Sequence, residues 1–249
     1  MFLSLLEIDV GDNPDRPRPG RTWLRNLYRV HQRLCMAFPS RERKLDDPDF
    51  LKPFRSEDFR GAEAKQVHVQ RGADSGFLFR VDPQRGGGVA LLVQSAAEPD
   101  WDYAFHNAPC LLAAPPSVRA FEPCFTEEER FRFRLVANPT RKIDTKSGPD
   151  ERRRNGTRVP LPDDRLGQWL AGKSEKAGFS FVEKSLLIEP GYIYVNKDRN
   201  ERGERLRWVR YEGALTVTDP EKLREAIFQG IGPAKAFGFG LLSLARLRS

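Results

Sequence analysis

Tyr28 and His31 stand three residues apart in the run Arg25-Asn-Leu-Tyr28-Arg-Val-His31-Gln. An imidazole titrates near neutrality, at about pKa 6.5, so a histidine can both accept and donate a proton in water. An ordinary tyrosine, with a pKa of ~10, is a poor base and suits an orienting role better. The other histidines are His68, in a charged and irregular stretch, and His106, beside Asn107 in an expected loop. Both read as surface or structural residues. A histidine on a helix is more often an ordinary helix residue than a catalyst, so His31 needs a setting before it has a role.

A second candidate lies near the end of the chain, in Gly230-Ile-Gly232-Pro-Ala-Lys235-Ala-Phe-Gly238-Phe-Gly240. Four glycines around one lysine can expose backbone N–H groups to an anion. The stretch is not a Walker loop, because no Lys-Ser/Thr pair closes it. It is not a dinucleotide fingerprint either, because no second βα unit follows. Two readings stay open: a contact with a polyanion backbone, made by Gly230, Gly232, Lys235, Gly238 and Gly240, or a tight turn whose glycines let a helix and a strand pack closely.

The net charge of +7 has a location. The segment 130–158 holds ten Lys/Arg against three Asp/Glu, and the rest of the chain is balanced. A basic excess confined to one segment points to a polyanion-facing surface better than a uniformly high pI does. Further cations, Lys197, Arg199, Arg202, Arg205 and Arg207, gather in or beside a polar hairpin tip, and Arg141 and Lys142 follow Asn138-Pro139. The triplet Arg152-Arg-Arg reads equally as a solvated loop.

Metal chemistry finds little to use. The acidic run Glu127-Glu-Glu has no second carboxylate cluster at ligand spacing, and no Cys/His set has zinc spacing. Cys35, Cys110 and Cys124 are far apart and odd in number, which suggests buried thiols in a reducing cytoplasm. No run approaches the ~18 apolar residues of a membrane span.

These groups must be positioned by alternating strands and helices. Phe2–Val10 reads as a strand and Arg21–Phe38 as a helix ending before Pro39. Trp23, Leu27, Val30 and Leu34 form the helix's apolar stripe, with Arg21, Arg25, Arg29 and Arg33 opposite. Tyr28 and His31 fall on the border between the two, where a side chain can be held by packing and still reach a ligand. Ser40–Ser75, charged and with scattered phenylalanines, reads as a long, variable and partly disordered insertion. Gly76–Asp82, Gly88–Ser95 and Val118–Phe125 read as strands, with a short helix in Pro99–Asn107.

A similar order then begins again. Arg130–Ala137 alternates arginine with apolar residues, Asp163–Ala177 is a helix, and Phe179–Val195 and Arg205–Thr218 are strands. Pro220–Gln229 is a helix and Phe239–Leu247 the last strand. Each half reads β-α-β-β-α-β, so the expected class is α+β, two tandem ferredoxin-like (βαββαβ) domains at 1–127 and 128–249, with 40–75 inserted in the first.

Three stretches together carry a resemblance: the Tyr28–His31 run, Phe131-Arg-Phe-Arg-Leu-Val-Ala-Asn138-Pro-Thr, and the glycine loop continuing through Leu-Leu-Ser-Leu-Ala. They resemble the CasE family, CRISPR precursor-RNA endoribonucleases of the type I-E Cascade system. The likeness runs in order over nearly the whole chain, including Leu92-Val-Gln94-Ser, and departs from the family pattern at 40–75. It implies two ferredoxin-like domains, a CRISPR repeat hairpin RNA as substrate, and cleavage at the 3′ base of that hairpin with no metal or cofactor. It also implies that the product stays bound and that the protein joins other Cascade subunits, with no membrane partner.

On that reading the RNA supplies the nucleophile, its 2′-hydroxyl, and His31 and Tyr28 serve proton transfer and orientation. Arg141, Lys142, Lys197, Arg199, Arg205, Arg207, Lys235 and the loop glycines are the expected RNA contacts. One rival is a non-catalytic RNA-binding subunit of the same fold, and another is a phosphate- or nucleotide-binding enzyme built on the glycine loop.

Overall fold

A computed structural model describes residues 1–11, 18–53, 55, 58, 76–143, 158–195 and 203–247. The first half runs β1 (Phe2–Ile8), α1 (Pro19–Leu24), α2 (Leu27–Cys35), α3 (Arg41–Asp46), β2 (Phe77–Pro83), β3 (Val89–Ser95), α4 (Trp101–Phe105) and β4 (Ser117–Ala120). Its four strands form an antiparallel sheet in the order β2-β3-β1-β4.

The second half runs β5 (Arg130–Ala137), β6 (Thr140–Lys142), β7 (Arg158–Pro160), α5 (Leu166–Lys176), β8 (Phe179–Phe181), β9 (Leu187–Val195), β10 (Glu204–Val217), α6 (Pro220–Gln229) and β11 (Leu242–Arg246). Its sheet runs β11-β5-β10-β8, and β9 pairs further along the same β10. In each half the last strand lies beside the first and the first beside the third, the ferredoxin-like arrangement. The second-strand position is shared by β8 and β9, which the 14-residue β10 is long enough to pair in turn.

Local sequence explains these elements. In β5 the period of two sends Phe131, Phe133, Leu135 and Ala137 inward, while Arg130 and Arg132 stay exposed. Helix α6 starts with Pro220 behind Asp219, whose carboxylate accepts from the Lys222 N–H at 3.0 Å, and it stops at Gly230 with φ 72°. Each sheet buries one face under its own helices, giving two cores. One gathers Leu6, Val30, Leu34, Phe79, Leu91 and Val93; the other gathers Phe133, Leu135, Leu166, Leu170, Leu223 and Ile227.

Three local expectations change. The helix expected over 21–38 is two helices, because Asn26 leaves the helical conformation and caps α2, its side chain accepting from Tyr28 N–H at 3.1 Å. The hairpin β6–β7 is an additional element. The described part of 40–75 is ordered around the fully buried Arg43. All five of its N–H groups are engaged: by Tyr103 Oη at 3.0 Å, Asp58 at 2.6 Å, Asp47 at 2.6 Å, and the carbonyls of Lys52 and Pro53 at 2.9 and 3.2 Å.

The two sheets are joined by polar contacts. Gln94 Nε2 donates to Ile227 O at 2.6 Å, and Arg80 donates to Ser243 Oγ at 2.8 Å while gripping Asp82. From Asp82 a chain of ion pairs passes to Arg134 (3.5 Å), Glu212 (2.8 Å) and Arg210 (3.4 Å).

Candidate active site

Helix α2 presents Val30 and Leu34 to the first core, and its 100° step then carries Tyr28 and His31 toward β2 and the glycine loop. His31 departs from its expected border position: it is only 2% exposed. Phe77 and Phe79, alternate residues of β2, stack beside its ring with centroids 5.2 and 6.3 Å away and planes inclined by 24° and 22°. Its Nε2 lies 3.5 Å from Cys35 Sγ, one helical turn on. Tyr28 is half-buried, its ring 6.2 Å from that of His31.

The glycine loop closes the other side. Phe237 places its ring 6.1 Å from Tyr28, and with Phe239 and Val195 it forms a third small core against Leu27, Tyr28, Val136 and Trp208. The glycines serve close packing. A Cβ on Gly230 would stand 2.8 Å from Leu78 Cδ2, and one on Gly238 3.0 Å from Phe79 Cε2; both residues have positive φ. The N–H groups of Gly230, Gly238 and Gly240 are bonded to Ala226 O, Lys235 O and Val136 O, so the tight-turn reading accounts for these three donors. Gly232 abuts the indole of Trp169, and Lys235 Nζ donates to Gln229 O at 2.5 Å.

The cations separate into distinct groups. Arg21, Arg25 and Arg29 are exposed, but Arg33 turns inward and donates to Ala104 O at 2.9 Å and Asn107 Oδ1 at 2.6 Å. Burial holds its guanidinium below the ordinary arginine range. Arg205 is exposed and stacks on Tyr192, 3.7 Å from the ring centroid. Arg207 does not fit the expected role of a phosphate contact. It is 6% exposed, bonded to Leu161 O and ion-paired with Asp163, and so anchors the turn ahead of α5.

Arg141 and Lys142 are exposed on β6. Lys197, Arg199 and Arg202 lie outside the described residues, as do His68 and Arg152–Arg154. Asn138 is buried and its amide donates to Arg207 O, locking the end of β5 to β10.

His106 is exposed beside Asp49, as a surface residue should be. Only Cys35 is a buried thiol; Cys110 and Cys124 are exposed, their neighbours Leu111 and Phe125 being the residues that turn toward the two cores. Among the described residues no group of three or more His, Cys, Asp or Glu is placed to hold a metal ion, and no helix is long and apolar enough to cross a membrane.

Sequence reasoning misses three participants: Cys35, Phe237 and the Phe77/Phe79 pair. The first is legible as an i, i+4 partner of His31. The others depend on strand and loop placement that no local pattern announces.

A family model described as CRISPR-associated protein matches residues 1–246. The CRISPR-associated endoribonuclease Cse3 of Thermus thermophilus is 32% identical over 192 residues, 71% of this chain and 84% of that protein. The CRISPR system Cascade subunit CasE of Escherichia coli is 29% identical over 228 residues, 91% of this chain and 96% of that one. A solved structure of the endoribonuclease Cse3 bound to 19-nt RNA superimposes with a TM-score of 0.68 at 29% identity, covering 98% of this chain and all of the other.

Proposed function

The chain belongs to the CRISPR-associated protein family whose model spans residues 1–246, and from that premise we propose that it is an endoribonuclease of CRISPR precursor transcripts. It cuts at the base of the repeat hairpin and stays with the product as a subunit of a Cascade complex, in the cytoplasm. The names of its relatives support this reading: Cse3 is an endoribonuclease with a structure bound to RNA, and CasE is a Cascade subunit. The observation that carries it is the meeting of Tyr28 and His31 on α2 with the glycine loop, at the junction of the two sheets. We divide the chain into functional units of 1–127, with the catalytic helix and the 40–75 insertion, and 128–249, with the basic hairpin and the loop.

The reaction needs the 2′-hydroxyl beside the scissile phosphate to lose a proton and the departing 5′-oxygen to gain one. Charge develops on the phosphorane oxygens between these events, and nearby cations and N–H groups stabilise it. His31 carries one of the proton transfers and Tyr28 orients the ribose or phosphate, without a metal ion. Lys235 and the glycine loop lie along the strand, while Arg141, Lys142, Lys197, Arg199 and Arg205 hold phosphates. Because His31 is almost fully covered, its ring must leave the stack on Phe77 when RNA arrives. That burial is also the observation favouring the rival, a non-catalytic RNA-binding subunit. A cleavage assay on repeat hairpin RNA decides between them: cut RNA supports the enzyme, and tight binding with no cutting supports the rival.

A further inference from the structure

Between β6 and the start of α5 lies a cavity of about 640 Å³, lined by Arg141, Pro162, Asp164, Arg165, Gln168 and Trp169 among others. That volume lies within the range of sites that enclose a small organic group. Trp169 forms one wall. Its indole is stacked on Tyr211, centroids 5.9 Å apart with planes inclined by 16°, and Tyr211 is fixed in turn by its hydroxyl on Leu166 O at 3.1 Å. A Cβ on Gly232 would come within 3.3 Å of the same indole, so the cavity adjoins the glycine loop. Leu161, Pro162 and Asp164, from the turn that Arg207 holds through Leu161 O and Asp163, also line it. The buried arginine therefore shapes this cavity.

The surroundings are cationic. Arg141 and Arg165 are exposed at the mouth, and Arg158 donates to Thr140 Oγ1 at 3.2 Å on the adjacent strand. The Lys173 ammonium, one turn beyond Trp169, is held below its ordinary pKa by burial and by the positive charges of Lys176 and Arg158. Arg165 donates to Gln168 Oε1 at 3.0 Å and lies 3.7 Å from Asp164 Oδ2, so the three form one polar cluster of the kind that can meet a base edge and its phosphate. An aromatic wall, polar edge groups and cations at the mouth are the elements by which proteins hold an unpaired base, whereas a duplex backbone follows an open basic surface.

We propose that this cavity takes one unpaired nucleotide of the bound RNA, its base against Trp169 and its phosphate on Arg141 and Arg165. The proposal rests on the reading of the protein as an RNA endonuclease and names a contact outside the scissile site. It is tested by titrating the wild-type protein with its repeat hairpin RNA in four forms: complete, lacking the 5′ flank, lacking the 3′ flank, and with abasic sugars in the loop. One of the last three should bind about tenfold more weakly, the usual scale of a lost base–aromatic stack, and which one does so identifies the source of the nucleotide.

In the variant Trp169→Ala, assayed at a temperature where thermal melting shows it folded, that difference should shrink to less than about twofold, because the stacking face is gone. 2-Aminopurine placed at the identified position should be quenched on binding the wild type. Equal binding of all four RNAs, or a difference fully retained in the variant, overturns the proposal and leaves the endonuclease reading intact. Failure of the wild type to bind the complete hairpin RNA overturns both.

Discussion

Phe237 lies against Tyr28, ring centroids 6.1 Å apart, and so ties the glycine loop of the second sheet to the helix that carries His31. The contact makes the loop part of the site's frame whatever it binds. It also turns the choice between a packing loop and an RNA-binding loop into a question about separate properties of one variant.

Gly238 decides that question. It has φ 78°, and a Cβ there would meet Phe79 at 3.0 Å, so Gly238→Val introduces both backbone strain and a clash beside the histidine stack. The expected result is a lower melting temperature together with weakened RNA binding at temperatures where the variant stays folded. Normal affinity in a destabilised but folded variant would assign the glycine to packing alone.

The legible parts of this molecule are those whose causes are local. Helix α6 has its start and stop written in Asp219, Pro220 and Gly230, and β5 alternates every second residue. The split between α1 and α2 escapes a sequence reading because Asn26, flanked by good helix formers, caps only once the chain has turned. The burial of His31 depends on Phe77 and Phe79, which are remote in sequence and reach it only through the sheet. Arg205 and Arg207 are equivalent by strand period, yet the turn Leu161–Asp163 covers only Arg207. That turn comes from a different part of the chain, so no inspection of the hairpin alone could separate the two arginines.

Their separation is testable. Arg205→Glu should weaken RNA binding and flatten its salt dependence, lowering the log–log slope by roughly 0.7–0.9 for each phosphate no longer held. The fold should be unaffected, because Arg205 is exposed on Tyr192. Arg207→Glu should instead lower the melting temperature, since it places a carboxylate beside Asp163 in a buried site. Titrations at several salt concentrations, paired with thermal melts, check both. An unchanged slope for Arg205→Glu would move the RNA surface away from this hairpin.

The Arg43 cluster gives a pH prediction. Burial raises the Asp47 pKa, but the Leu51 and Lys52 N–H groups and the Arg43 guanidinium outweigh it, so the carboxyl sits below its ordinary value. A depressed folded pKa contributes stability above the unfolded value of about 3.9, and that contribution is lost as pH falls through the folded value. Asp47→Asn should therefore cost about 3 kcal/mol at pH 7, with the gap to wild type narrowing by pH 3. Thermal or urea denaturation at the two pH values measures it. A gap that stays constant would mean that the charge of Asp47 does not stabilise the fold.

The catalytic prediction concerns His31. His31→Ala removes the imidazole that stacks on Phe77 and Phe79 but leaves Arg205, Arg141 and Lys142 in place. Hairpin RNA should bind almost as tightly as to wild type, while cleavage falls by roughly 10²–10⁴, the usual contribution of a positioned acid or base. The variant's melting temperature must be measured alongside, because the lost ring leaves a gap in the aromatic stack. Wild-type cleavage should persist in excess EDTA, and its upstream product should end in a 2′,3′-cyclic phosphate or its opened form. An RNA with a single 2′-deoxy sugar at the scissile position isolates the chemistry from binding, since it lacks only the attacking hydroxyl. If wild-type protein cuts that RNA, or EDTA abolishes all cutting, then His31 does not act by the proton transfer described.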